Sequence, residues 1–150
     1  MNKKITAFAA LLITALAAVA VNDSRPSLKW AKSLEETEIS KIEMTVMPSS
    51  ENERYKLFDK SEYKEIVALI NSSNGKYEPS PEPIAGGGTI LYITASDGTI
   101  HTVVNNGNTY LCIDGDSYTA SYKYLSSWDK YGLNKGDSAI PFPPPDYLEY

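Results

Sequence analysis

Three turn dipeptides decide most of what this chain can fold into. Asp97-Gly98, Asn106-Gly107 and Asp114-Gly115 follow one another at intervals of nine and eight residues, each between short runs rich in β-formers. Asx-Gly pairs accept the positive φ angles of tight hairpin turns at little steric cost. Three in succession predict a four-stranded antiparallel meander, roughly 89–96, 99–105, 108–113 and 116–122. Two-residue loops throughout would place Ile93 opposite Thr102, Leu91 opposite Val104, Ile100 opposite Ile113, and Leu111 opposite both Thr102 and Tyr118. One face then collects Leu91, Ile93, Ala95, Ile100, Val104, Leu111, Ile113, Tyr118 and Ala120, the expected core side. The other carries Tyr92, Thr94, His101, Val103, Tyr110, Cys112, Ser117 and Thr119. A one-residue slip would exchange the faces, so this separation of apolar from mixed favours the register.

Upstream, Glu38–Met47 alternates, with Ser40, Ile42, Met44 and Val46 on one side and Lys41, Glu43 and Thr45 on the other, the period of a half-buried strand. Pro48 to Asn52 is a turn, and Tyr55–Phe58 returns as the second strand of a hairpin. A helix follows, capped by Asp59 or Ser61 and closed by Asn74-Gly75. Its Tyr63, Ile66, Val67 and Ile70 fall at i, i+3, i+4 and i+7, forming one apolar stripe. Residues 76–88, with three prolines and three glycines, read as a long irregular loop of the kind that is often functional. After the meander, Tyr122–Gly132 predicts a short helix burying Leu125 and Trp128. The expected architecture is α+β: an antiparallel sheet, made of an N-terminal hairpin plus the four-stranded meander, packed against one main helix and a short C-terminal helix.

The ends of the chain read differently. Lys3 and Lys4 precede an uncharged run from Ile5 to Val21, and Ala18-Val19-Ala20 offers the small-x-small pattern that a signal peptidase accepts. Residues 1–20 are therefore expected to be a secretory signal peptide cut after Ala20. The alternative is an uncut N-terminal anchor, although the run is short against the roughly 20 residues that span a bilayer. Residues 21–36 are polar and read as a linker in which Trp30 docks on the domain. Residues 37–133 form the domain, and 134–150, with Pro-Phe-Pro-Pro-Pro, a stiff polyproline-like tail.

Charge narrows the partners. The chain carries −5, and −7 without the leader (12 basic against 19 acidic residues). Acidic composition with scattered cations lacks the electrostatic footprint of a nucleic-acid binder, and suits an anionic membrane surface poorly. Cys112 is the one cysteine, so no intrachain disulfide can form.

Chemistry has few candidates. The chain has one histidine, which excludes a His-rich metal site. The meander register sets His101 opposite Cys112 with Thr94 on its other side, and facing Cβ atoms lie about 4.5–5.5 Å apart. An imidazole that close can lower a thiol's pKa and prepare a nucleophile. The pair lies in mid-sheet without an oxyanion loop, so a structural role is expected and no catalytic residue is assigned. Asp114-Gly115-Asp116-Ser117 lacks the further spaced acids of a calcium loop, and Gly86-Gly87-Gly88 lacks the Lys-Ser/Thr of a phosphate loop. No metal or cofactor is expected. Tyrosine, at 11 residues, is over-used, and it combines contact area with a polar handle. Tyr92, Thr94, His101 and Tyr110 form the expected binding surface on the outer sheet face.

The order of elements, with Ile39-Ser40-Lys41-Ile42-Glu43 as first strand, Tyr63–Ile70 as helix and Ser96-Asp97-Gly98-Thr99 as a meander turn, resembles a group of small extracytoplasmic proteins of Gram-positive bacteria. The resemblance covers roughly residues 37–132 and rests on pattern. It implies an exported accessory domain, some of whose kind look sensor-linked, and it carries no activity over to particular residues. The lipidation cysteine of such proteins is missing here, which speaks against tethering. The expected function is a non-catalytic binding or interaction module, with a protein or cell-envelope component as partner. An enzyme built on Cys112 and His101, or an inhibitor or immunity-type protein, are the rivals.

Overall fold

The computed structural model describes residues 25–47, 55–84 and 87–131. The leader at 1–20, the 48–52 turn, Gly132 and the proline-rich tail lie outside them. The elements are α1 (Pro26–Ser33), β1 (Ile39–Met47), β2 (Tyr55–Leu57), α2 (Tyr63–Asn71), β3 (Lys76–Tyr77), β4 (Gly88–Ala95), β5 (Ile100–Asn106), β6 (Tyr110–Ile113), β7 (Asp116–Thr119) and α3 (Tyr122–Leu125). Short 3-10 turns precede β1 (Glu36–Glu38) and α2 (Lys60–Glu62), and one continues α3 (Ser126–Tyr131).

The strands make one antiparallel sheet in the order β2-β1-β4-β5-β6-β7-β3, so the expected α+β class holds. The N-terminal hairpin extends the meander directly, through β1 against β4. The supposed 76–88 loop is not wholly irregular, because Lys76 and Tyr77 pair with β7 as an edge strand. A Cβ on Gly75 would stand 2.5 Å from the Thr119 carbonyl oxygen, so glycine is what lets the chain come this close.

The main core joins one face of the sheet to the three helices. Ile42, Met44, Leu91, Ile93, Val103, Leu111, Ile113 and Tyr118 meet Leu28 and Ala31 of α1, Ile66, Val67 and Ile70 of α2, and Leu125 and Trp128 after β7. The stripe read at 63–70 is thus the buried face of α2. Its entry is fixed by a capping box in which Glu62 accepts the Asp59 backbone N–H at 2.9 Å and Asp59 reciprocates.

The expected linker at 21–36 is corrected: residues 26–33 are a helix inside the domain. Pro26 stands at its first turn, where a missing N–H costs nothing, and Leu28, Ala31 and Leu34 recur on one side and are buried. The N-terminal end of α1 is held to β7 and β3, at one edge of the sheet. Arg25 Nη1 lies 3.1 Å from Asp116 Oδ1, and its guanidinium stacks 3.4 Å above the Tyr77 ring. Ser27 Oγ donates to Asp116 Oδ2 at 2.7 Å and shares a hydrogen bond with the Tyr118 hydroxyl at 2.8 Å.

The outer face is less wet than the alternation predicts. Ile90, Tyr92 and Val104 cluster there, and Glu43 is only 2% exposed. Lys41 Nζ reaches Glu43 Oε2 at 2.8 Å, which offsets the cost of taking that carboxylate out of water.

Burial pushes the phenols of Tyr118 and Tyr124 above the usual tyrosine range, with hydrogen bonds from Ser27 and Ser73 acting the other way. Both groups stay neutral in the folded state at a pH where the unfolded chain ionises them. Their contribution is complete below the unfolded value and is lost as pH rises beyond it. Unfolding titrations are therefore expected to show stability falling from about pH 10 upward, with two tyrosines ionising only as the fold is lost. If all tyrosinate absorbance develops before unfolding begins, this account is wrong.

Candidate functional site

The register of β5 decides where the chemistry lies. The first meander turn is a three-residue loop, Ser96-Asp97-Gly98, closed by Ala95 N–H to the Thr99 carbonyl at 2.8 Å. Gly98 takes φ +88° and Asp97 Oδ1 accepts the Thr99 N–H at 2.8 Å. Ile93 consequently faces His101 and Leu91 faces Val103. The second loop also has three residues, Gly107-Asn108-Thr109, with φ +59° and +53° at its first two positions. Only the third is a two-residue turn, Asp114-Gly115, and there Leu111 faces Tyr118 as the sequence predicts.

Each extra residue inverts parity, so β5 alone is turned over. His101 and Val103 belong to the helix side, whereas Ile100 and Val104 belong to the outer side. The expected His101–Cys112 pairing is corrected accordingly: Cys112 faces Val104 and Ser117, its Sγ 3.3 Å from Ser117 Oγ, on the face away from His101. The expected binding surface is dispersed for the same reason. Tyr92 and Thr94 remain on the outer side, but Tyr92 is only 4% exposed. Tyr110 accepts the Glu82 N–H at 3.4 Å, so the 76–88 loop does pass over this end of the outer face. His101 has left the group.

His101 instead has neighbours that sequence reasoning did not give it. Trp30 of α1 stacks on its ring, with centroids 4.0 Å apart and planes 19° from parallel. His101 Nδ1 lies 2.7 Å from Asp114 Oδ2, while Asp114 Oδ1 accepts the Thr102 N–H at 2.8 Å. The turn carboxylate thereby fixes the imidazole plane against the indole.

These two rings form one side of a cleft of about 460 Å³, a size common among small-ligand sites. Leu34, Ile93 and Ala95 give it an apolar floor, and Thr37, Glu38, Ser96 and Asp97 a polar margin. The margin is built rather than incidental. Ser96 donates both its N–H (2.8 Å) and its hydroxyl (3.1 Å) to the Glu38 carbonyl, tying the first meander turn to the 3-10 turn before β1. The Glu38 carboxylate accepts the Glu35 N–H at 3.1 Å. Thr99, through its N–H first and then its hydroxyl, holds the Asp97 carboxyl below the usual carboxylate range. A second, smaller hollow of about 200 Å³ lies at the opposite end of the sheet, between Gly87-Gly88, the Gly107-Asn108 turn and Asp129.

No group of three or more His, Cys, Asp or Glu residues among the described residues is arranged to hold a metal ion, and no described helix is long and apolar enough to cross a membrane. No protein-family model matches the chain, and neither the curated proteins nor the solved structures yield a significant match.

Proposed function

We propose that this chain is an exported, non-catalytic binding module whose ligand enters the cleft beside Trp30 and His101. The observation that carries the reading is the Trp30–His101 stack beside an apolar floor and a hydrogen-bonded margin, in a cleft of ligand size. Aromatic walls with a few fixed polar groups are the usual make-up of recognition sites. His101 has a carboxylate on one nitrogen and an indole on its face, while the chain's one thiol lies across the sheet, so the imidazole serves as part of a wall. Export is supported by Lys3-Lys4, the uncharged run to Val21 and the Ala18-Val19-Ala20 site. The partner belongs to the cell envelope or is met outside it, and nucleic acid is disfavoured by the net charge of −5.

The test compares variants on envelope fractions. The immobilised protein is expected to retain a defined component, a Cys112→Ala variant to retain it equally, and a Trp30→Ala variant to lose it with its circular dichroism unchanged. Equal retention by a folded Trp30→Ala variant would sink the cleft as the site.

A further inference from the structure

We infer that the group recognised in this cleft is an organic ammonium carried on an apolar stem, as a lysine side chain or an alkylamine presents it; this rests on the cleft being the binding site. The lining supplies opposite charge at its margin and hydrocarbon at its floor. Glu38 and Asp97 are the acids there, and each spends one carboxylate oxygen on a backbone N–H, which holds the charged group in place. The cleft's one basic side chain is His101, and the Asp114 carboxylate at 2.7 Å already answers it. An anion entering here would meet two carboxylates and no uncommitted cation.

A sugar fits less well than a cation. Sugars need several donors and acceptors fixed around a ring, and the Ser96 hydroxyl is committed to the Glu38 carbonyl. A cation needs only field and a π face. His101 covers one face of the Trp30 indole, so the cation would lie over the other, and tryptophan is the side chain that attracts cations best. The stem of the ligand would lie along Leu34, Ile93 and Ala95, where its methylene groups leave water.

Tryptophan emission reports entry directly, because Trp30 lines the cleft and Trp128 is buried in the core. The full exported protein is titrated with n-hexylamine, n-hexanol and hexanoate at low salt. Hexylamine is expected to saturate at a concentration at least about tenfold below hexanol, with hexanoate weakest and the preference shrinking as salt is added. In a Glu38→Gln, Asp97→Asn double variant the amides keep the oxygens that accept the Glu35 and Thr99 N–H groups, so the fold should persist while the preference for amine disappears. Equal saturation by hexanol and hexylamine would overturn the ammonium assignment and leave the cleft standing. Failure of every probe to perturb Trp30 would overturn the cleft itself. A capped lysine peptide run beside hexylamine separates the sources: tighter binding of the peptide identifies a protein lysine, and equal binding a free amine.

Discussion

Replacing Trp128 with alanine is expected to remove about 3–5 kcal/mol of stability, the cost of emptying a large aromatic site in a packed core. Trp128 is only 2% exposed, and its indole closes the core at the end reached by the 3-10 turn after α3. A single domain of this size holds roughly 5–15 kcal/mol in total, so the loss takes a large share of the margin. Thermal melting should drop by roughly 15–30 °C. The second tryptophan provides the contrast. Trp30 is half-buried and leans on His101, so Trp30→Ala should cost far less and leave a cooperative transition. A drop of only a few degrees for Trp128→Ala would mean that the core does not depend on this residue as its burial implies.

The second large effect falls on Asn105. Its side chain is 5% exposed and makes three hydrogen bonds: Nδ2 to Asn108 Oδ1 at 2.8 Å, Nδ2 to the Leu125 carbonyl at 3.1 Å, and Oδ1 from the Asn108 N–H at 3.1 Å. It therefore holds the left-handed Gly107-Asn108 loop and binds the end of β5 to α3. Asn105→Ala leaves the Leu125 carbonyl and the Asn108 N–H without those partners, and a loss of about 2–4 kcal/mol is expected by chemical denaturation. Backbone amide exchange at Asn108 and Thr109 should accelerate more than exchange in β1. An effect below about 1 kcal/mol would show that water replaces the amide without penalty.

That residue also explains where the sequence stopped being legible. The meander, the 63–70 stripe, the N-terminal hairpin and the buried Leu125 and Trp128 all follow from periodicity and turn chemistry. Loop length does not. An Asx-Gly pair serves a two-residue or a three-residue hairpin equally well, and the choice is made by side-chain bonds such as Asp97 to the Thr99 N–H and Asn105 to Asn108. Two such choices in succession cancel for β6 and β7, so Leu111, Ile113 and Tyr118 stay on the expected side while β5 alone inverts.

The site was less legible than the fold because it needs two things at once, β5 in its inverted register and α1 packed on the sheet. Residues 21–36 read as linker on polarity alone. The spacing of Leu28, Ala31 and Leu34, with Pro26 at a first turn, was the available signal. Recognising α1 alone would still leave its seat open, because Trp30 meets His101 only where β5 is turned over.

The clasp between Ser27 and Tyr118 spans 91 positions in the chain. A chain that emerges N-terminus first carries α1 without its seat until the last strand of the meander has appeared. The hairpins of that meander close locally and quickly, whereas β1 must wait for β4 and α1 for β7. Docking of α1 therefore requires a chain that already extends to β7. The seat of α1 is thus completed by the residues that arrive last, and a chain shortened before β7 would keep the helix but lose the place where it packs.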